Sequence, residues 1–459
     1  MIIVPTIETP ANATTRDLNM LTSQTESKVI SLDSASTLLP RAPRTPEETG
    51  LPFLFLVELV SKVLFLRGQV GLVELSAHLK LTVGVLDPLI VFMRAEKLCE
   101  VTRRGGSGTD ADLTYNLTDL GRTRATEFMS RNAYAGPAPV TLAAYCAQVE
   151  AQSVAQMHIM REDMANEFAD IVVSPIVLEQ LGTAMNSGRA IFVHGPAGSG
   201  KTYLAERLAG LLHGDILVPH AIVVDGEVVQ VHDPVVHPPV DGMAEQADVF
   251  DKRMLLDARW LRTRRPAVLT GGELTLDMLD LQFDPGTRFY QAPPHLKANG
   301  GIFIIDDLGR QRCSPAELMN RWIVPMDRRV DFLSLHTGYK FLVPFDVIVV
   351  FSSNFPPEQL ADGSFLRRLG YKIHVGPLTE AQYERIFRQV CKQFEVPYSD
   401  DAFHYLVHQH HYQEERALLA CYPRDILAQV RDLALYEGRA PSLDQRVLDW
   451  AWNNYFIGA

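Results

Sequence analysis

Eight residues, Gly195-Pro196-Ala197-Gly198-Ser199-Gly200-Lys201-Thr202, restrict what this chain can fold into more than any other feature. They fit the pattern G-x-x-x-x-G-K-[ST], and they stand between an apolar run, Ala190–His194, and a helix-forming stretch, Tyr203–Leu212. A strand, a glycine loop and a helix in that order turn the helix N-terminus towards whatever the loop encloses. The glycines let consecutive N–H groups converge, and the helix dipole adds positive potential, so the loop is built to hold phosphates. Lys201 then supplies a point charge to the β- and γ-phosphates of a nucleoside triphosphate, and the Thr202 hydroxyl a ligand for Mg²⁺. The fold expected around such a unit is α/β, with strands and helices alternating.

A second buried strand ends in two carboxylates: Gly301-Ile302-Phe303-Ile304-Ile305-Asp306-Asp307. In a parallel sheet the carboxyl end of a strand opens on the ligand crevice. There Asp306 can hold Mg²⁺, chiefly through its waters, while Asp307 is placed to polarise an attacking water. Further strands are expected at Ala267–Leu269 and Val347–Phe351, and a hairpin over Ile222–Val231 around Asp225-Gly226. Beyond Pro377 the chain reads as helical, over Thr379–Phe394, Asp401–His410, Pro423–Glu437 and Leu443–Asn454.

The phosphate loop, the acidic strand and the segments that follow resemble the AAA+ branch of P-loop ATPases, over roughly residues 170–440. The resemblance implies ATP and Mg²⁺ as cofactors and hydrolysis of ATP to ADP and phosphate. It makes Asn354, in Ser352-Ser353-Asn354, the family's polar sensor of the γ-phosphate or its water. Phe365-Leu366-Arg367-Arg368-Leu369 is similar to the finger segment that projects an arginine into a neighbouring subunit's site, with Arg368 ahead of Arg367. Tyr422-Pro423-Arg424-Asp425-Ile426 looks like the second sensor, Arg424, which reaches the γ-phosphate from a helical lid. One departure stands out. The family usually places Glu second in the acidic pair, whereas this chain has Asp307, whose carboxylate falls about 1.5 Å short. That touches turnover rather than binding, and it leaves a slow nucleotide switch as one reading.

Five regions are expected: a disordered tail over 1–49, rich in Thr, Ser, Pro and Glu; a domain over 50–135; a linker with helices over 136–188; the α/β core over 189–376; and the helical lid over 377–459. In the second region, helices at Leu51–Leu66, Leu72–Leu79 and Val83–Leu98 (with Pro88 near the first turn) precede strands Cys99–Arg103 and Leu113–Leu117 around Gly105–Gly108. A helix over Leu120–Arg131 follows, capped by Thr118–Asp119. This order is similar to a winged-helix domain, with Tyr115–Gly121 as its wing-to-helix passage. The Val83–Arg94 helix is almost wholly apolar, and 94–131 carries seven basic against six acidic residues, so docking to protein is expected in preference to DNA. The whole chain resembles bacterial AAA+ proteins described loosely as ATPases with chaperone activity. The function expected is remodelling of a macromolecular partner by a homo-oligomer, ring or partial ring. The rival is a DNA-binding ATPase in which the winged helix reads DNA and ATP sets the assembly state, with Arg103-Arg104 and Arg122/Arg124 able to grip the DNA backbone locally.

Composition excludes other classes. A net charge of −12 argues against general attraction to nucleic acid or anionic lipid. Five scattered cysteines without a CxxC pair suggest neither a zinc cluster nor a disulfide framework. Leu51–Leu66 is too short and too interrupted to span a bilayer, and Met1–Pro10 lacks secretory features, so a cytoplasmic protein is expected. His404 and His408 share a helix face, but no carboxylate or cysteine at metal-site spacing accompanies them, so they read as lid surface. His220, His232 and His237 flank a Pro-rich loop and add nothing further. Gly271–Gly300, with Glu273, Asp277, Asp280 and Asp284, reads equally as a substrate-contacting or a structural insertion. Arg310-Gln311-Arg312 is a candidate contact to a neighbour or central ligand.

Overall fold

The computed structural model describes residues 39–104, 113–240, 256–360 and 362–456. Its centre is an all-parallel sheet of strands β1 (Ala190–His194), β2 (Ala267–Thr270), β3 (Gly301–Ile305), β4 (Val347–Ser353) and β5 (Leu369–His374). They lie side by side in the order β2-β3-β4-β1-β5. Every residue of β3 and β4 is buried, as continuous apolar runs must be in a sheet covered on both faces. On one face Ile191, Ile302 and Val350 pack against Leu181, Leu204 and Leu208. On the other, Phe192, Phe303 and Phe351 surround Trp322, whose ring stacks on Phe303 at 5.2 Å. This order matters for the site. It sets β4 between β1 and β3, so the chain leaving β4 emerges between the ends of the other two.

Between β1 and β3 the chain is richer in strand than the sequence suggests. The expected hairpin is present as Ala221–Val224 and Glu227–Gln230, with Asp225 at φ 49° and Gly226 at φ 81°, the doubly left-handed turn that Asp-Gly favours. It extends into a five-stranded sheet with Val140–Thr141 on one side and Tyr290–Gln291 and Gln282–Phe283 on the other. Asp215–Pro219 pairs with Trp260–Arg264, and Val330–Ser334 with Lys340–Pro344. Within the expected linker, Val140–Thr141 is a short strand, and a helix begins at Leu142.

The region after residue 50 has helices Phe53–Arg67, Leu72–Leu79 and Val83–Ala95, then strands Cys99–Arg104 and Leu113–Leu117 and helix Asp119–Arg131. Thr118 caps the last by accepting from the Gly121 N–H at 3.1 Å. Val70–Gly71, not foreseen, adds a third antiparallel strand beside Leu113–Leu117. The helix starts at Val83 as expected, which puts Pro88 in its second turn. The turn at 105–112 lies outside the described residues.

The expected tail, 1–49, lies outside the described residues as far as residue 38, but from Pro40 the chain is tied to the body. Pro40 accepts from the Asp257 N–H at 2.9 Å, Arg41 bridges Leu256, and Thr49 is buried. The cause is a buried ion pair. Arg259 bonds Asp257 and directs its remaining donor to the carbonyls of Thr49 and Pro139, at 3.1 and 3.2 Å. A buried guanidinium must satisfy its N–H groups, and this one draws on backbone that composition alone assigns to a tail.

The C-terminal helices are Glu380–Gln393, Asp400–Tyr405 continued by a π-helical turn Leu406–His411, Tyr422–Tyr436 and Gln445–Tyr455. They enclose a core of Tyr383, Phe387, Phe403, Leu427 and Trp452. No single helix among the described residues is long and apolar enough to cross a membrane.

Candidate active site

β1 ends at His194 and turns directly into the glycine loop. Gly195 donates its N–H to the Ser353 carbonyl at the end of β4, at 3.3 Å, which pins the start of the loop to the neighbouring strand. Gly198 sits at φ 82°, and a Cβ there would lie 2.4 Å from the Cys421 sulfur. Glycine is therefore required twice over, by backbone angle and by space. The Cys421 N–H donates to the Gly198 carbonyl at 3.1 Å, so the C-terminal helices dock on the loop itself. The Ser199 hydroxyl is buried and lacks a hydrogen-bond partner among the described residues.

Lys201 opens the helix after the loop and is only 6% exposed. Its ammonium donates to the Pro196 carbonyl at 2.9 Å and to Asn354 Oδ1 at 2.8 Å. Burial pulls its pKa below the usual lysine value, and the Asp307 and Asp306 carboxylates oppose that pull. Next to it, the Thr202 hydroxyl donates to both oxygens of Asp306, at 3.0 and 2.8 Å. These are hard oxygen donors of the kind Mg²⁺ takes, brought together from the phosphate loop and the end of β3.

Asp307 has φ 48°, a left-handed conformation that Asp adopts more readily than most residues. The turn follows directly on β3, and the Asp307 carboxylate accepts from Asn354 Nδ2 at 2.9 Å. Asn354 is thus a bridge, its oxygen on Lys201 and its nitrogen on Asp307. The structure also uses a residue that sequence reasoning assigned elsewhere. Gln311 donates to the Asp306 carbonyl at 2.9 Å and accepts from the Gly309 N–H at 2.9 Å, so it braces the acidic turn from behind. Only its nearness to the acidic pair hinted at this. Arg310 and Arg312 are exposed.

The two arginines lie elsewhere. Leu369 pairs with Ala190, the first residue of β1, so Arg368 stands at the amino edge of the sheet. A strand of this length spans about 17 Å, and the phosphate loop is at its other end. Arg368 Nε donates to Asp327 Oδ2 at 2.7 Å, and with Arg189, Arg329 and Arg367 it lines a cavity of about 270 Å³. Arg424 is exposed, with no hydrogen bond or ion pair among the described residues. It lies in the first turn of the helix that begins beside Cys421.

Comparison with known proteins adds little chemistry. A family model described as a domain of unknown function, DUF8689, matches residues 379–454, the C-terminal helices. No curated protein matches. Among solved structures, NtrX from Brucella abortus is similar at 13% identity and TM-score 0.40, over 69% of this chain and 62% of that one. This chain therefore spans less than two thirds of the NtrX chain. The Thermotoga maritima RuvB Holliday junction branch migration motor is similar at 13% identity and TM-score 0.35, over 62% of this chain and 70% of that one. Likeness at this level has no bearing on the chemistry.

Proposed function

We propose that the chain is an ATPase of the AAA+ type, which binds Mg²⁺-ATP at Gly195–Thr202 and hydrolyses it to ADP and phosphate. The observation that carries this reading is the bonded series Lys201–Asn354–Asp307 beside the Thr202–Asp306 pair, at the ends of three adjacent strands. Lys201 and the loop N–H groups neutralise the phosphates. Thr202 and Asp306 are the residues that would hold Mg²⁺, which when bound offsets charge on the β- and γ-phosphates. Asp307 polarises the water, and Asn354 fixes the direction of that carboxylate while facing the γ-phosphate. The left-handed turn and the Asn354 bond favour turnover over a slow switch, because both commit Asp307 to the phosphate side.

The position of Arg368 at the sheet edge opposite its own loop supports action on a neighbour's nucleotide, and so a homo-oligomer. Arg424 serves its own site from the lid once nucleotide draws the guanidinium in. The region over 50–135 is a winged helix that docks on a protein partner to be remodelled. On the helix Val83–Ala95 the exposed side chains Val83, Asp87, Pro88 and Val91 carry no basic or amide group, and Arg94 in the last turn is the one exposed basic group, which leaves the face poor in the groups that read DNA.

The phosphate-loop reading is tested by titrating a fluorescent ATP analogue into the intact chain and into Lys201→Ala. Binding should be lost with the buried cation; unchanged affinity would contradict the reading.

A further inference from the structure

His404 and His408 stand four residues apart where the helix Asp400–Tyr405 runs into the π-helical turn Leu406–His411. The wider π turn keeps residues four apart on one face, and such turns are frequent at functional sites. The two rings stack at 5.9 Å with 27° between their planes. The carboxylate that their sequence neighbourhood lacks arrives from another helix. Glu380, in the first turn of Glu380–Gln393, brings Oε1 to 3.9 Å from His408 Nε2. One donor atom from each of Glu380, His404 and His408 lies within 4.8 Å of the others.

The surrounding bonds separate this trio from the histidines beside it. His410 Nε2 is engaged by Asp449 at 2.8 Å, and His411 Nε2 by the Tyr383 hydroxyl at 2.9 Å. The imidazoles of His404 and His408, both exposed residues, make no hydrogen bond among the described residues. The Tyr412 hydroxyl donates to Glu380 Oε2 at 2.8 Å, which steadies the carboxylate and leaves Oε1 towards the imidazole. Outer hydrogen bonds of this kind orient metal-binding carboxylates.

We propose that Glu380, His404 and His408 form a site for a divalent transition-metal ion, with Zn²⁺ the first candidate. Two neutral imidazoles and a carboxylate suit Zn²⁺, Co²⁺ or Ni²⁺ better than Mg²⁺, which takes oxygen donors. Ligands around a tetrahedral Zn²⁺ stand about 3.4 Å apart. The trio needs only to draw in from within 4.8 Å, which the two exposed imidazoles accomplish by rotation about χ1 and χ2 towards the half-buried Glu380. A solvent molecule completes the coordination. The bound ion joins the start of one C-terminal helix to the π turn of the next, and so stiffens the bundle that docks on the phosphate loop.

The test uses the intact chain, free of any affinity tag, stripped with chelator and kept in excess Mg²⁺ so that oxygen sites are occupied. Equilibrium dialysis should find one Zn²⁺ per chain in the micromolar range, and Zn²⁺ should raise the thermal midpoint. Tyr412→Phe should weaken binding about tenfold, and His404→Ala or His408→Ala by more than that. The exposed His158→Ala should change nothing. Circular dichroism checks that each variant is folded. One-to-one binding that survives the His404→Ala/His408→Ala double change would overturn the proposal. So would no binding at millimolar Zn²⁺, or a Co²⁺ spectrum dominated by thiolate charge transfer.

Discussion

At the scale of the residue, the Asp307 carboxylate is oriented by its left-handed φ and its bond to Asn354, and the proposed role requires these two to make up for the missing methylene of Glu. Asp307→Glu should therefore slow phosphate release, because the longer side chain overshoots the Asn354 nitrogen; faster release would mean that the native residue throttles the site. Steady-state phosphate assays at saturating Mg²⁺-ATP decide between them. Gln311→Ala removes the brace behind Asp306 and should lower turnover while ATP affinity stays within a fewfold. That Lys201, Thr202, Asp306 and Asp307 come together is legible in the sequence because short motifs at strand ends mark them, and Asn354 joins them through the family resemblance. Gln311 and Glu380 were not, because their roles depend on contacts that local patterning does not encode.

At the scale of the element, the C-terminal helices meet the phosphate loop through Cys421 and Gly198. Gly198→Ala combines a strained backbone, about 1–2 kcal/mol, with a clash against the Cys421 sulfur at 2.4 Å. Gly438→Ala is the matched control, since Gly438 also has positive φ but meets nothing within 4 Å. Both should lower the thermal midpoint, and only Gly198→Ala should also weaken ATP binding in titration. Strands β1, β3 and β4 and the C-terminal helices could be read from the sequence because long apolar runs and strong caps such as Thr379 mark them. Of the β-rich insertion only the hairpin at Asp225-Gly226 could. Val140–Thr141 and Tyr290–Gln291 are two residues long, and both join the sheet through partners far away in the chain. In Val330–Ser334 the alternation of buried and exposed residues is clear, but the stretch follows a helix whose pattern overshadows it.

At the scale of the whole molecule, Arg368 lies at the sheet edge away from its own loop. Mixing Arg368→Ala with Lys201→Ala chains should restore some ATPase activity, because hybrid interfaces pair an intact finger with an intact loop; no recovery in hybrids shown to assemble would place the arginine outside catalysis. Burial pushes His220, His237 and His411 down to about 4. Unfolded histidine titrates near 6.5, so the neutral folded forms contribute stability that is full above that pH. It is lost as pH falls towards 4, by about 1.4 kcal/mol per pH unit for each group at most. Urea midpoints measured from pH 7 to pH 5 should decline accordingly, and less steeply in His411→Gln. The region over 50–135 should not shift the anisotropy of mixed-sequence duplex when the intact chain is titrated in at low salt. Micromolar binding that salt abolishes, and that Arg103→Ala with Arg104→Ala removes, would favour the DNA-dependent ATPase instead. Whether Asp307 activates water against ATP held by Lys201 and Thr202 is decided by a single-turnover quench experiment on Asp307→Asn. ATP should stay bound at one per chain while its cleavage slows about 100-fold or more; cleavage at the parental rate would mean that Asp307 does not activate the water.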